Sequence, residues 1–308
     1  MRILVVGAGA IGGYFGGRLL KAGRDVTFLV RPGRAAQLQR TGLVIHSAVG
    51  NVSIANPPTV QAEELRETFD LILLSCKAYD LDAAILSIAP AVGPRTRILP
   101  LLNGMKHLDA LEARFGKEAV LGGQCFISAT LDDDGAIHHL NTSHQLTFGE
   151  RGGGRSPSAD AIQKELAGTG FDLTLTENIL VEMWEKWIFI ATLAGTTCLM
   201  RASVGDVVAV DDTGIGVRMF RECAAIASAN GFPLREPAVA RAEATMSQKG
   251  STLAASMLRD IERGARTEAE QIFGDLLNRR SHDAREGSLL YLAYVHVKAY
   301  ETRQRVVR

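Results

Sequence analysis

The chain has 308 residues, enough for two domains that each bury a core of their own. Its 34 Lys and Arg balance 34 Asp and Glu, so no basic surplus directs it to nucleic acid or an anionic membrane. Seven histidines and four dispersed cysteines, with no C-x-x-C and no His pair at ligand spacing, argue against a metal site and for a reducing, cytoplasmic setting.

Arg2-Ile3-Leu4-Val5-Val6 is a short apolar run, read as a buried parallel strand. It leads into Gly7-Ala8-Gly9-Ala10-Ile11-Gly12, and a helical pattern follows through Phe15, Leu19 and Leu20. G-x-G-x-x-G alone is a weak signal, but between a strand and a helix it specifies a dinucleotide site. Gly7 permits the tight turn, Gly9 admits the pyrophosphate, and Gly12 lets helix and strand pack closely. The interrupting glycines also exclude a signal peptide.

The second strand, Asp25 to Val30, ends at Arg31. An NAD site usually carries Asp or Glu near this point for the ribose hydroxyl, whereas Arg suits the 2′-phosphate of NADPH. Arg34 is placed to add a second charge. The alternative for Arg31 is a solvated residue after a strand.

Further strands are expected at Asp70 to Cys76, Arg97 to Leu102 and Ala119 to Thr130, with helical patterns between most of them. That alternation implies an α/β fold with a parallel sheet of Rossmann type. Ala136 to Leu140 and Gln145 to Phe148 read as paired strands around Asn141-Thr142-Ser143, and adjacent His138 and His139 as structural residues on opposite strand faces. A helix near Pro157 to Ala167 and a strand near Phe171 to Leu175 follow. Beyond Thr176 the pattern becomes helical, which predicts a dinucleotide-binding domain over 1–176 and an all-helical domain over 177–308. The longest apolar helix candidate, Trp187 to Ala194, is too short to span a bilayer.

Ligands of open α/β sheets lie beyond the carboxyl ends of the strands. Lys77 and Asn103 stand at two such ends, although a solvated lysine and an ordinary Asn-Gly turn explain them equally well. Lys186 shares its helix face with Met183, Ile190 and Leu193. A lysine on such a stripe either snorkels to water or is held partly dry, and dehydration makes it a proton donor near neutral pH. Glu268 lies in Thr267-Glu268-Ala269-Glu270, which by itself fits a capping box.

Taken in order, these motifs resemble the ketopantoate reductase (2-dehydropantoate 2-reductase) family over nearly the whole chain. The resemblance rests on Gly7 to Gly12, Arg31-Pro32, Cys76-Lys77-Ala78, Leu102-Asn103-Gly104-Met105, Phe148-Gly149-Glu150, Trp184-Glu185-Lys186, Ser256-Met257 with Asp260, and Thr267-Glu268. It implies a helical domain like that of 6-phosphogluconate dehydrogenase and NADPH-dependent reduction of ketopantoate to pantoate, in pantothenate and coenzyme A synthesis. It also implies roles. Lys186 would be the general acid, Glu268 would orient substrate hydroxyls, and Ser256 would meet the carboxylate. Asn103 and Lys77 would bridge cofactor and substrate, with Arg31 on the 2′-phosphate.

One departure stands out. Family members carry asparagines four and eight residues after the lysine, where this chain has Ile190 and Ala194. Each unmade buried hydrogen bond costs about 1–3 kcal/mol, so a different branched 2-keto acid, or an NADPH-binding sensor without catalysis, stays open as an alternative. A monomer or homodimer acting on a small-molecule 2-keto acid is expected.

Overall fold

In the computed structural model, residues 1–280 and 285–307 are described. The chain divides into two compact units, 1–102 with 107–180, and 103–106 with 181–308.

The first unit begins with β1 (Arg2–Val6), α1 (Ala10–Lys21), β2 (Asp25–Leu29) and α2 (Pro32–Thr41). Three short strands follow, β3 (Leu43–His46), β4 (Val52–Ile54) and β5 (Thr59–Val60). Next come β6 (Leu71–Leu74), α3 (Leu81–Ile88), β7 (Arg97–Pro100) and α4 (Lys106–Phe115). The unit closes with β8 (Gly122–Leu131), β9 (Ile137–Gly149), α5 (Pro157–Leu166) and β10 (Asp172–Leu175).

Strands β5-β2-β1-β6-β7 form one sheet, parallel throughout. Its central strands are unbroken apolar runs because both faces are buried. This is the Rossmann-type sheet the alternating pattern implies, with one correction. Of residues 119–130 only Val120 joins it, through a parallel bridge to Ile98 of β7, and the residues from Gly122 onward leave it. They supply β8, which runs antiparallel to β9 in a second sheet of order β10-β9-β3-β4.

The expected hairpin around Asn141-Thr142-Ser143 is a second correction. Residues 137–149 are one strand, and its antiparallel partner is β8. Opposite Ile127 to Ala129 the ladder steps from His144 to His139, so the three polar residues are bulged out rather than turned. Asn141 Oδ1 accepts from Ser128 N at 3.2 Å there, replacing a lost ladder bond. The adjacent histidines have separate structural partners. His138 Nε2 meets Asp132 Oδ2 at 2.7 Å, while His139 Nδ1 meets Ser47 Oγ at 2.9 Å.

Helix α1 packs on both sheets, and its glycines set the distance. A Cβ on Gly16 would lie 2.6 Å from the Phe28 ring, and one on Gly17 would lie 2.8 Å from Leu43 and Ile45.

The second unit is helical: α6 (Ile179–Met200, entered from the first unit), α7 (Val204–Val210), α8 (Ile215–Ala229), α9 (Glu236–Met246) and α10 (Ser256–Glu262). A π-turn at Glu270–Gly274 runs into α11 (Asp275–Asn278), and α12 (Leu289–Val307) ends the described chain. Residues 191–198 of α6 are all buried, as expected of a helix surrounded by others. Among the described residues no single helix is long and apolar enough to cross a membrane, although α6 and α7, bent by 64°, pass that test as a pair.

Candidate active site

In the first unit β1 hands the chain to Gly7, whose φ of +91° disfavours any residue with a Cβ. Gly9 then begins α1 with no side-chain cap, and the first helical turn holds no acidic residue. The amino end of α1, at Ala10, Ile11 and Gly12, therefore has main-chain donors and a positive dipole end suited to an anion. Around it the glycines play opposite parts. A Cβ on Gly9 would meet nothing within 4 Å, whereas one on Gly12 would lie 2.1 Å from both Gly7 O and Ser75 Oγ. The loop is open in front and tightly packed behind, with Ala8 buried. A pyrophosphate fits that arrangement. Ser75, whose Oγ donates to Val6 O at 2.8 Å, is a loop support that sequence reasoning passed over.

Arg31 caps α2, and its side chain is 74 % exposed. Its Nη2 donates to Asp80 Oδ1 at 2.8 Å, and that hydrogen bond, with the carboxylate's charge, raises the guanidinium's already high pKa. Asp80 closes the single 3₁₀ turn that starts at exposed Lys77, its N–H bonded to Lys77 O at 2.9 Å. Asp80 thus joins two residues that the sequence places at separate strand ends. Arg34 departs from expectation. It is half-buried, its Nε donates to Ala8 O at 2.9 Å, and its Nη1 donates to Gln37 and Gly135. The side chain braces the glycine loop from behind.

The second unit is organised by α6. Lys186 on this helix is buried, only 8 % exposed. Beside it Glu185 takes both arms of Arg235, at 2.7 and 2.6 Å. Burial pushes the Glu185 carboxyl up, but the Arg235 hydrogen bonds outweigh burial and hold it below the usual range. Next in sequence, Trp187 donates from Nε1 to Ile272 O at 3.0 Å. One face further along, Thr197 Oγ1 accepts from Ala255 N at 3.3 Å, which fixes the start of α10 and exposed Ser256.

Half-buried Glu268 lies just before the π-turn, its carbonyl accepting from Ile272 N at 3.0 Å. The expected capping box does not form. Thr267 Oγ1 donates to Glu301, and Glu270 accepts from Tyr294 Oη at 2.9 Å instead of reaching back. Asn103 belongs to this unit as well, and Gln271 Nε2 donates to its main-chain carbonyl at 2.8 Å. The structure therefore gathers Asn103, Lys186, Ser256 and Glu268 in one unit, while Gly7 to Gly12, Arg31 and Lys77 share the other. Gln271 and Trp187 were missed, because each acts through main-chain carbonyls that carry no residue signature.

Among the described residues no group of His, Cys, Asp and Glu is arranged to hold a metal ion. Residues 3–153 match the family model for ketopantoate reductase PanE/ApbA, and residues 178–300 match the model for its C-terminal part. An uncharacterized oxidoreductase of Bacillus subtilis, YkpB, is 37 % identical over 305 residues, covering 99 % of this chain and all of that one. A 2-dehydropantoate 2-reductase of Pyrococcus horikoshii is 28 % identical, covering 98 % of each chain. The crystal structure of 2-dehydropantoate 2-reductase from Methylococcus capsulatus superposes with a TM-score of 0.85 at 28 % identity, over 99 % of this chain and 98 % of that one.

Proposed function

The chain belongs to the ketopantoate reductase family of oxidoreductases, and from that premise we propose that it reduces a 2-keto acid with NADPH, ketopantoate being the leading substrate. The observation that carries this reading is Lys186, a lysine buried on α6 within the unit that also holds Glu268 and Asn103.

NADPH, when bound, supplies the hydride for the keto carbon. The main-chain donors of Gly9 to Gly12 hold its pyrophosphate, and Gly7 shapes the turn that presents them. Arg31, which here donates to Asp80, would hold the 2′-phosphate, and Lys77 would add positive charge from the neighbouring turn. Reduction builds negative charge on the substrate oxygen, and Lys186 Nζ donates the proton that neutralises it. Asn103 offers an amide to that oxygen and to the cofactor ribose. Glu268 accepts from a substrate hydroxyl, and Ser256 donates to the carboxylate. We place the reaction in the cytoplasm, in pantothenate synthesis, with the enzyme a monomer or homodimer.

A second reading has its own observation. Ile190 is half-buried one turn beyond Lys186, and Ala194 is buried a further turn on. An apolar face there favours a branched 2-keto acid without a hydroxyl. The test is direct: protein, NADPH and ketopantoate are mixed and absorbance at the nicotinamide band is followed. Lys186→Ala turning over as fast as wild type would remove Lys186 from the mechanism. A panel of branched 2-keto acids then separates the two substrates.

A further inference from the structure

Glu270–Gly274 winds as a π-turn, a form that is rare and recurs at functional sites. Three consecutive residues of this turn each hold a different part of the unit. The Glu270 carboxylate accepts from Tyr294 Oη at 2.9 Å and lies 4.0 Å from Lys106 Nζ. Burial, then the bond to Glu270, pushes the Tyr294 phenol up to about 12, so it remains a donor at neutral pH. Gln271, 5 % exposed, donates from Nε2 to Asn103 O at 2.8 Å. Ile272 O accepts from the Trp187 indole.

The Asn103-Gly104 turn is moulded onto the same feature. Gly104 has φ of +79°, and a Cβ there would come within 2.9 Å of Gln271 O and 3.3 Å of Gln271 Nε2. An Asn-Gly pair is among the most pliant dipeptides in a chain. A single buried donor on the Asn103 carbonyl fixes the peptide plane that follows its Cα, and hence the direction in which its side chain leaves the backbone.

We propose that Gln271 is a positioning residue for Asn103: presented by the π-turn, its amide clamps the Asn103 carbonyl so that the Asn103 side chain is held ready for the substrate oxygen and the cofactor ribose. The proposal rests on the reductase reading for what Asn103 touches. The clamp itself is a property of the second unit.

The test is a double-mutant cycle between Gln271→Met, which keeps length and loses the donor, and Asn103→Ala. Initial rates give kcat and KM, nicotinamide fluorescence gives the NADPH Kd, and thermal melting checks folding. Gln271→Met is expected to lower kcat/KM about tenfold in the wild-type background and less than about twofold once Asn103 is alanine, the non-additivity of residues that act through one another. Equal losses in both backgrounds would mean a general structural role, and no loss in the first would mean no role; either overturns the proposal. If wild type binds NADPH but reduces no 2-keto acid, the reductase reading fails alone. The same cycle read on the NADPH Kd then decides the clamp, with coupling for it and independence against it. Should Gln271→Met not fold, Gln271→Glu, which keeps the buried carbons but turns an acceptor onto the carbonyl, enters the same cycle.

Discussion

Trp187 and Ile272 are 85 residues apart in sequence, yet the indole Nε1 of one donates to the main-chain carbonyl of the other at 3.0 Å in a site where Trp187 is 1 % exposed. The bond ties the turn of α6 that carries Lys186 to the turn that follows Glu268. Trp187→Phe keeps an aromatic ring and removes the donor, leaving a buried carbonyl without it. The expected loss is about 1–3 kcal/mol of stability in urea unfolding, the cost of an unsatisfied buried acceptor. Unchanged stability would show that the carbonyl finds another partner and that the tie is dispensable.

Arg31 governs the choice between the two nicotinamide cofactors in the proposed mechanism. Its ion pair with Asp80 is exposed, and exposed pairs contribute little to stability. Arg31→Ala should therefore melt with wild type. It should weaken NADPH by about 10- to 100-fold, as expected for lost hydrogen bonds to a charged group, and leave NADH within about threefold. Fluorescence titration with both cofactors measures this. An equal loss for the two would separate Arg31 from the 2′-phosphate.

The glycine loop gives a paired prediction. Gly12→Ala drives a methyl group into Gly7 O and Ser75 Oγ, each 2.1 Å away, so both the fold and cofactor binding should suffer. Gly9→Ala meets no protein atom within 4 Å, so its melting temperature should stay within a few degrees of wild type. Its methyl group nevertheless occupies the space a pyrophosphate needs, and NADPH affinity should fall at least tenfold. Tight NADPH binding by Gly9→Ala would place the pyrophosphate elsewhere.

Local chemistry made the dinucleotide loop legible. The turn at Gly7 and the strand before it are set by residues adjacent in sequence, although Gly12 packs against Ser75 as well as against Gly7. Lys186 was visible as one charge on an apolar helical stripe, and the structure buries the residue. The second sheet was not legible. Strands β3 and β4 are four and three residues long, too short for a periodic signal. Asn141-Thr142-Ser143 looked like a turn because polar residues commonly make one, whereas here they bulge out of β9 where its ladder to β8 steps from His144 to His139. The π-turn left no trace either. Its effects lie in the hydrogen bonds of Gln271 and Ile272, to partners 168 and 85 residues away.

Glu150 offers a pH test in the first unit. Burial pushes its carboxyl up, but hydrogen bonds from Arg97 at 2.7 Å and from Ser156, with the charge of Arg97, outweigh burial and hold it below its ordinary value. A carboxyl depressed in the folded state stabilises at pH above its unfolded value, 4.5, and that contribution is lost as pH falls through the folded value. Glu150→Gln should cost about 1–2 kcal/mol at neutral pH, discounted for the partial exposure of the pair. Its acid unfolding should also be less steep than that of wild type below about pH 4.5. Parallel acid profiles for the two proteins would show that Glu150 titrates at the same pH in the folded and unfolded states.

In the proposed site, Ile190 would set how a hydroxyl-bearing substrate is treated. It follows Lys186 by one helical turn and is half-buried, so an amide there would add a hydrogen-bonding group on the side of α6 that carries the proposed acid. Apolar pockets discriminate weakly against an added hydroxyl, while a pocket built to bond one discriminates strongly against its absence. The informative quantity is the ratio of kcat/KM for ketopantoate to that for its analogue lacking the terminal hydroxyl. Ile190→Asn should raise this ratio about tenfold, the worth of one hydrogen bond made in the transition state. Ala194→Asn is the poorer probe, since at 1 % exposure the added volume overpacks α6 and costs about 1–3 kcal/mol before any substrate is bound. In wild type a ratio well above one supports ketopantoate, and a ratio near or below one supports the apolar acid. A ratio that Ile190→Asn leaves unchanged would show that residue 190 does not face the substrate, and the second reading would lose its footing.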